Sequence, residues 1–215
     1  SEQRREQVTA AVRAVVAGGR QVYWVCPLIE ESAKQELQAA VDTWTRLRGE
    51  LPELRVGLVH GRLKSDDKAA VMTAFVAGEI DVLVATTVIE VGVDVPNACL
   101  MVIEHAERFG LAQLHQLRGR VGRGAQESVC VLLYQPPLSE SARARLKIIY
   151  EYSDGFEIAR QDLRLRGPGE FVGSRQSGLP LLRYADLESD TDLVELARAV
   201  AVDWLQHEPE HAARQ

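Results

Sequence analysis

Val22 to Cys26, VYWVC, is an unbroken run of β-branched and aromatic residues, the mark of a strand buried on both faces. Pro27 ends it. A strand without a polar face needs cover on two sides, and the flanking sequence supplies it. Ahead, Val8, Val12, Val15 and Val16 share one helical face and stop at Gly18 and Gly19. Behind, Ser32 with Gln35 forms a capping-box pair, and Leu37, Ala40, Val41, Trp44 and Leu47 mark the inner side of a helix that ends by Gly49. Arg55 to His60 predicts a second strand, Ser65 to Ala77 a helix with Val71, Met72, Phe75 and Val76 inward, and Ile80 to Ala85 a third strand. A brief strand at Val93 to Val95, another at Cys99 to Ile103, a further helix and a strand at Val129 to Tyr134 follow. Strands and helices alternating through short connections predict an α/β fold, a parallel sheet with helices on both faces.

Pro136 and Pro137 end the alternation, so the expected domains are residues 1–135 and 136–215. In the second, Ala142, Leu146, Ile149 and Tyr150 form one helical stripe, Asp154 and Gly155 turn the chain, and Phe156, Ile158, Ala159 and Leu163 suggest a shorter helix. After this helical hairpin comes an irregular, glycine-rich loop from Leu165 to Gly178. A C-terminal helix from about Thr191 would turn Leu193, Leu196, Ala197, Val200 and Trp204 inward.

The 215 residues are 46% hydrophobic, enough to bury a real core, and no apolar run approaches the roughly 20 residues that span a bilayer. A cytoplasmic protein is the expectation. The charged start at Ser1, without methionine, reads as a cut from a longer chain, although initiator removal gives the same start. Cys26, Cys99 and Cys130 sit in apolar runs without metal-ligand spacing, so buried free thiols are expected and a metal site is not. The net charge of −6 is unevenly spread: Arg108 to Arg183 holds 12 basic and 7 acidic side chains, and Tyr184 to Gln215 only 2 against 8. Arginine concentrated in the middle of an acidic chain suits a polyphosphate partner.

That concentration peaks at Gln113 to Gly124, QLHQLRGRVGRG. Leu111, Leu114 and Val121 repeat at helical spacing and want a core, while Gln116, Arg120 and Arg123 carry planar polar groups suited to gripping phosphate. Arginines at a helix C-terminus also complement the helix dipole, a purely structural alternative. The segment Thr86 to Asp94 follows the third strand, at the edge where open parallel sheets bind ligands. Thr86 and Thr87 could hold a phosphate, Gly92 would admit a ligand close to backbone, and Asp94 could accept from a sugar hydroxyl; helix capping and turn formation explain the same residues equally well. The chain has no GxxxxGK[ST] loop, no acidic pair after an apolar strand to hold magnesium, and its GPGE at Gly167 to Glu170 lacks the lysine. Arginines on such a domain make sense as fingers acting on a nucleotide held elsewhere.

At these residues the chain resembles superfamily 2 helicases. DVLVATTVIEVGVDVPNA from Asp81 is similar to their motif V and QLHQLRGRVGRG to motif VI, with VYWVCPLIEES and GLVHGRL matching earlier motifs in the family order. The hairpin followed by DLRLRGPGEFVGSRQSG resembles the translocation motif of the RecG and Mfd families, and the wording from Tyr23 to Gly178 is closer to the RecG family of branched-DNA helicases.

The resemblance implies a RecA-like motor domain 2, with Arg123 as the finger on the γ-phosphate, Arg120 assisting and Gln116 coupling nucleotide to DNA. Gly92 and Asp94 would meet the nucleotide, Thr86, Thr87, His60 and Arg62 would lie near DNA, and Arg145, Arg166 and Gln176 would pass motor movement to the duplex. It further implies ATP and Mg2+, held mainly by a first motor domain, and a wedge domain, neither of which these residues contain. The partner would be branched double-stranded DNA, forks and Holliday junctions remodelled by branch migration in repair and recombination. An Mfd-type duplex translocase, or a non-catalytic DNA- or partner-binding module with a motor-like fold, are the alternatives.

Overall fold

The computed structural model describes residues 2–27, 33–86, 95–122 and 128–166, with 196 and 200; the side chains of residues 2–4, 33–36 and 166 are excepted. In chain order the elements are α1 (Glu2–Ala17), β1 (Gln21–Cys26), α2 (Ala33–Glu50), β2 (Val56–Val59), α3 (Ser65–Val76), β3 (Val82–Thr86) and β4 (Ala98–Ile103). A 3₁₀ turn (Ala106–Arg108), α4 (Leu111–Arg118), β5 (Val129–Leu132), α5 (Glu140–Glu151) and α6 (Gly155–Arg166) complete them. The chain divides into two compact units, Ser1–Ala159 and Arg160–Gln215, and the sheet lies in the first.

All five strands are parallel, in the order β2-β3-β1-β4-β5. β1 takes the centre because it alone has six buried residues in succession flanked by two equally apolar neighbours. Side chains alternate along a strand. Tyr23 and Val25, with Leu83, Ala85, Met101 and Ile103, therefore face one core, shared with Met72 and Phe75 of α3, Leu111, Leu114 and Leu117 of α4 and Ile149 of α5. Val22, Trp24 and Cys26 face the other, with Val8 and Val12 of α1 and Ala40 and Leu47 of α2. Phe75 is wholly buried, its ring edge-on to Tyr23 at 4.9 Å. The expected parallel sheet with helices on both faces is what forms.

Several inward assignments were wrong. Tyr150 is 87% exposed, while Ile148 is buried beside Ile149. Around α5, Ile148 and Ile149 together take the core-facing side, which leaves Tyr150 turned to solvent. Val76, Leu196 and Val200 are also exposed. Thr86 closes β3 instead of opening the next loop, and α2 continues through Gly49 to Glu50. The capping pair's Ser32, most of the brief strand at Val93 to Val95, the glycine-rich loop after Arg166 and the rest of the C-terminal helix lie outside the described residues.

Candidate functional site

Parallel strands bring their carboxyl ends to a single edge. Thr86 pairs with Cys26, and continuing the Val59–Ala85 register by one residue sets His60 level with Thr86. On the other side, the Glu104 amide donates to the Val25 carbonyl, so Glu104 stands in the same row. Thr86 is only 3% exposed. His60 is half-buried, with no partner for Nδ1 among the described residues; burial, then Lys68 and Arg62, holds its pKa below the usual histidine value, leaving it neutral at pH 7. Arg62 is exposed, in a turn pinned by Lys68 Nζ donating to the Gly61 carbonyl at 2.8 Å. Thr87, Gly92 and Asp94 lie outside the described residues.

α4 carries the arginine motif. Leu111 and Leu114 are wholly buried, Leu117 nearly so, and the Gln113 side chain accepts from the Gly110 amide at 3.0 Å to close the first turn. The helix ends at Gly119; Val121, although buried, belongs to the loop beyond. Gly122 sits at φ +83°, and a Cβ there would collide with the Ser128 side chain, so this turn requires glycine twice over. Gln116 is exposed and Arg120 half-buried, and neither side chain makes a hydrogen bond or ion pair with a described residue. Arg120 is thus open to an anionic ligand. Arg123 lies outside the described residues.

Arg118 and Arg145 are committed. Arg118 Nη1 donates to the carbonyls of Ile149 and Tyr152, both at 2.7 Å, and Nη2 to Ser153 at 3.2 Å. Arg145 Nε donates to the Phe109 carbonyl at 3.1 Å, Nη2 to Glu107 at 2.9 Å and Nη1 to Ser141 Oγ at 3.0 Å. Arg145 therefore clamps α5 to the segment before α4 and presents no free fork to solvent. Arg166 ends α6, its side chain undescribed, and Gln176 lies outside the described residues.

Sequence reasoning gave no role to Arg118 or to Glu104. The Glu104 carboxylate, 6% exposed, accepts from Arg46 at 2.7 Å and Thr43 at 3.2 Å and pairs with Arg5 at 3.5 Å, which joins α1 and α2 to the end of β4. Nothing in the local pattern announced these partners, which lie 58, 61 and 99 residues away. Next to it, burial and then Glu104 push the Cys26 thiol up to about 12, so it stays an inert thiol at neutral pH. Cys26, Cys99 and Cys130 are free, but only Cys26 is fully buried. Among the described residues no cluster of three or more His, Cys, Asp or Glu could hold a metal ion, and no helix is long and apolar enough to cross a membrane.

A five-stranded parallel sheet flanked by helices, with an arginine-bearing turn between α4 and the last strand, is the architecture of a helicase motor domain. Residues 6–125, more than half the chain, match the helicase conserved C-terminal domain, and the chain belongs to that family. Residues 152–214 match domain 3, C-terminal, of the ATP-dependent DNA helicase RecG. The chain is 57% identical over 209 residues to RecG of Acidithiobacillus ferridurans, covering 97% of this chain and 31% of that protein. With RecG of Escherichia coli K12 the identity is 56% over 199 residues, 93% of this chain and 29% of that one. A solved structure of RecG bound to a three-way DNA junction is similar at TM-score 0.68 and 47% identity, over 90% of this chain and 24% of that one. The fold is RecA-like, and the chain spans about a third of the length of the curated relatives it matches.

Proposed function

We propose that this chain is the second motor domain and translocation hairpin of an ATP-dependent DNA helicase that remodels branched DNA, stalled forks and Holliday junctions, by branch migration in the cytoplasm. The observation that carries this reading is the 47% identity, over 90% of the chain, to RecG solved on a three-way junction. In the proposed division, residues 1–135 are the motor and 136–215 transmit its movement. ATP hydrolysis would supply the free energy, with Mg2+ and the phosphates held mainly by a first motor domain and the junction met by a wedge domain. Arg120 and Arg123 reach the γ-phosphate, with Gly92 and Asp94 beside the nucleotide and Gln116 linking it to DNA. The availability of Arg120, against the commitment of Arg118 and Arg145, supports this assignment. Thr86, Thr87, His60 and Arg62 face the DNA backbone, with Thr86 contributing through main chain because its side chain is buried. Arg145, Arg166 and Gln176 belong to the transmission.

Replacing Arg123 by Ala in the full-length protein is the test. A finger predicts ATPase falling by roughly a thousandfold with DNA binding largely kept. A non-catalytic DNA-binding module predicts weaker DNA binding and an unchanged ATPase, and that outcome would reject the proposal.

A further inference from the structure

We propose that the outer edge of β5, together with the groove between it and α5, is a docking site for an extended, acidic segment of a partner protein, which adds to the sheet as a further strand. The proposal goes beyond the helicase reading and does not depend on it.

The two edges of the sheet are finished differently. Leu133 donates its amide to the Ile103 carbonyl and accepts from the Ala106 amide, so its main chain faces β4. Main-chain groups alternate sides along a strand, so Cys130, Leu132 and Tyr134 turn theirs outwards, where no described residue meets them. At the opposite edge the Arg55 carbonyl accepts from the Val82 amide, which turns Val56 outwards, and there Trp44 Nε1 of α2 donates to the Val56 carbonyl at 2.9 Å. The β2 edge is thus partnered by its own helix. β5, by contrast, is VCVL with no residue buried and Val129 56% exposed. An apolar edge with free main-chain groups and no charge to blunt it is a template for another strand.

The residues that turn their main chain outwards also line a groove of about 590 Å³ with their side chains, facing Leu146 and Ile149 of α5. Cys130, Leu132 and Leu146 pack on the core beneath, so the groove has an apolar floor. A strand laid along β5 therefore drops alternate side chains into the groove while its main chain pairs with the edge. The rim sets the sign of the partner's charge. Arg143 and Lys147, one turn apart on α5, are both exposed, and among the described residues no acidic side chain lines the groove. Lys147 has only an exposed pair with Glu151 at 3.7 Å, and the Arg143 side chain makes no hydrogen bond or ion pair with a described residue. Carboxylates suit this rim and apolar side chains this floor. A nucleic acid would satisfy the cations, but its phosphodiester backbone has no donor for the outward carbonyls of Cys130 and Leu132.

The experiment titrates the full-length protein into a short fluorescein-labelled peptide that alternates valine with glutamate and is amidated at its C-terminus, so that no terminal carboxylate contributes. Fluorescence anisotropy should show saturable binding, weaker by about tenfold in the Arg143→Glu variant, whose substitution lies on an exposed helix face. Methylating alternate peptide nitrogens removes the strand's donors and should abolish binding. Amide hydrogen exchange at Cys130 and Leu132 should slow when the peptide is bound. Absence of saturable binding would overturn the proposal, as would equal affinity in the Arg143→Glu variant or for a peptide with lysine in place of glutamate. Undiminished binding of the methylated peptide would also overturn it, because the groove would then hold a ligand without extending the sheet. Protection of the Cys130 and Leu132 amides by a single-stranded oligonucleotide but not by the peptide would assign the groove to nucleic acid and reject the protein partner.

Discussion

Asp81, in the turn before β3, shows how much one carboxylate can organise. Oδ2 accepts from the Arg55 amide at 2.8 Å and from Nε at 3.0 Å, Oδ1 accepts from Nη2 at 2.6 Å, and Nη2 also donates to the Gly78 carbonyl. Partial burial pushes the carboxyl pKa up, but the side-chain and backbone hydrogen bonds from Arg55 outweigh it and hold it below the usual range. A depressed folded pKa contributes stability above the unfolded value and loses it as pH falls through the folded one. Asp81→Asn should therefore lower the urea midpoint at pH 7, and the gap from wild type should close as pH falls below the usual carboxylate range. A gap independent of pH would show that the charge contributes nothing. At this scale the sequence was least informative: Arg118, Arg120 and Arg145 look alike in a string of letters, and what separates them is whether a carbonyl of another helix lies within reach. One clue was present, since IIYE at the end of α5 holds no cation of its own and so calls for one from outside.

Elements were easier to read wherever burial acts on both faces. VYWVC became β1 with every residue buried, because a strand without a polar side has no alternative to a sheet centre. Phe75, wholly buried on α3 and packed on Tyr23, joins that strand to its helical cover, and its carbonyl accepts from the Gln21 side chain. Phe75→Ala should cost about 3–5 kcal/mol in chemical unfolding, and a loss under about 1 kcal/mol would mean that the core collapses around the gap. The hairpin was read less well. On α5 the apolar residues outnumber the positions facing the core, so periodicity alone could not decide between Ile148 and Tyr150, and the packing of α5 on α4 decided it.

Taken whole, the chain announced its class but not its strand order, since five similarly apolar strands carry no label for their neighbours. The missing phosphate-loop motif bears on the whole molecule too. Mixed with ATP and branched DNA, these 215 residues alone should hydrolyse ATP no faster than background; clear DNA-stimulated turnover would refute the shared active site. The order β2-β3-β1-β4-β5 also has a consequence for synthesis on the ribosome. Within this sheet β1 is made before its neighbours, whose partner residues begin only at Val82 and Ala98. At about 5–20 residues per second, its apolar surface waits about 3–11 seconds for β3, and longer for β4. The strand that ends at the centre of the finished sheet is thus the segment of that sheet that stays sticky longest, a binding site for a chaperone while it waits.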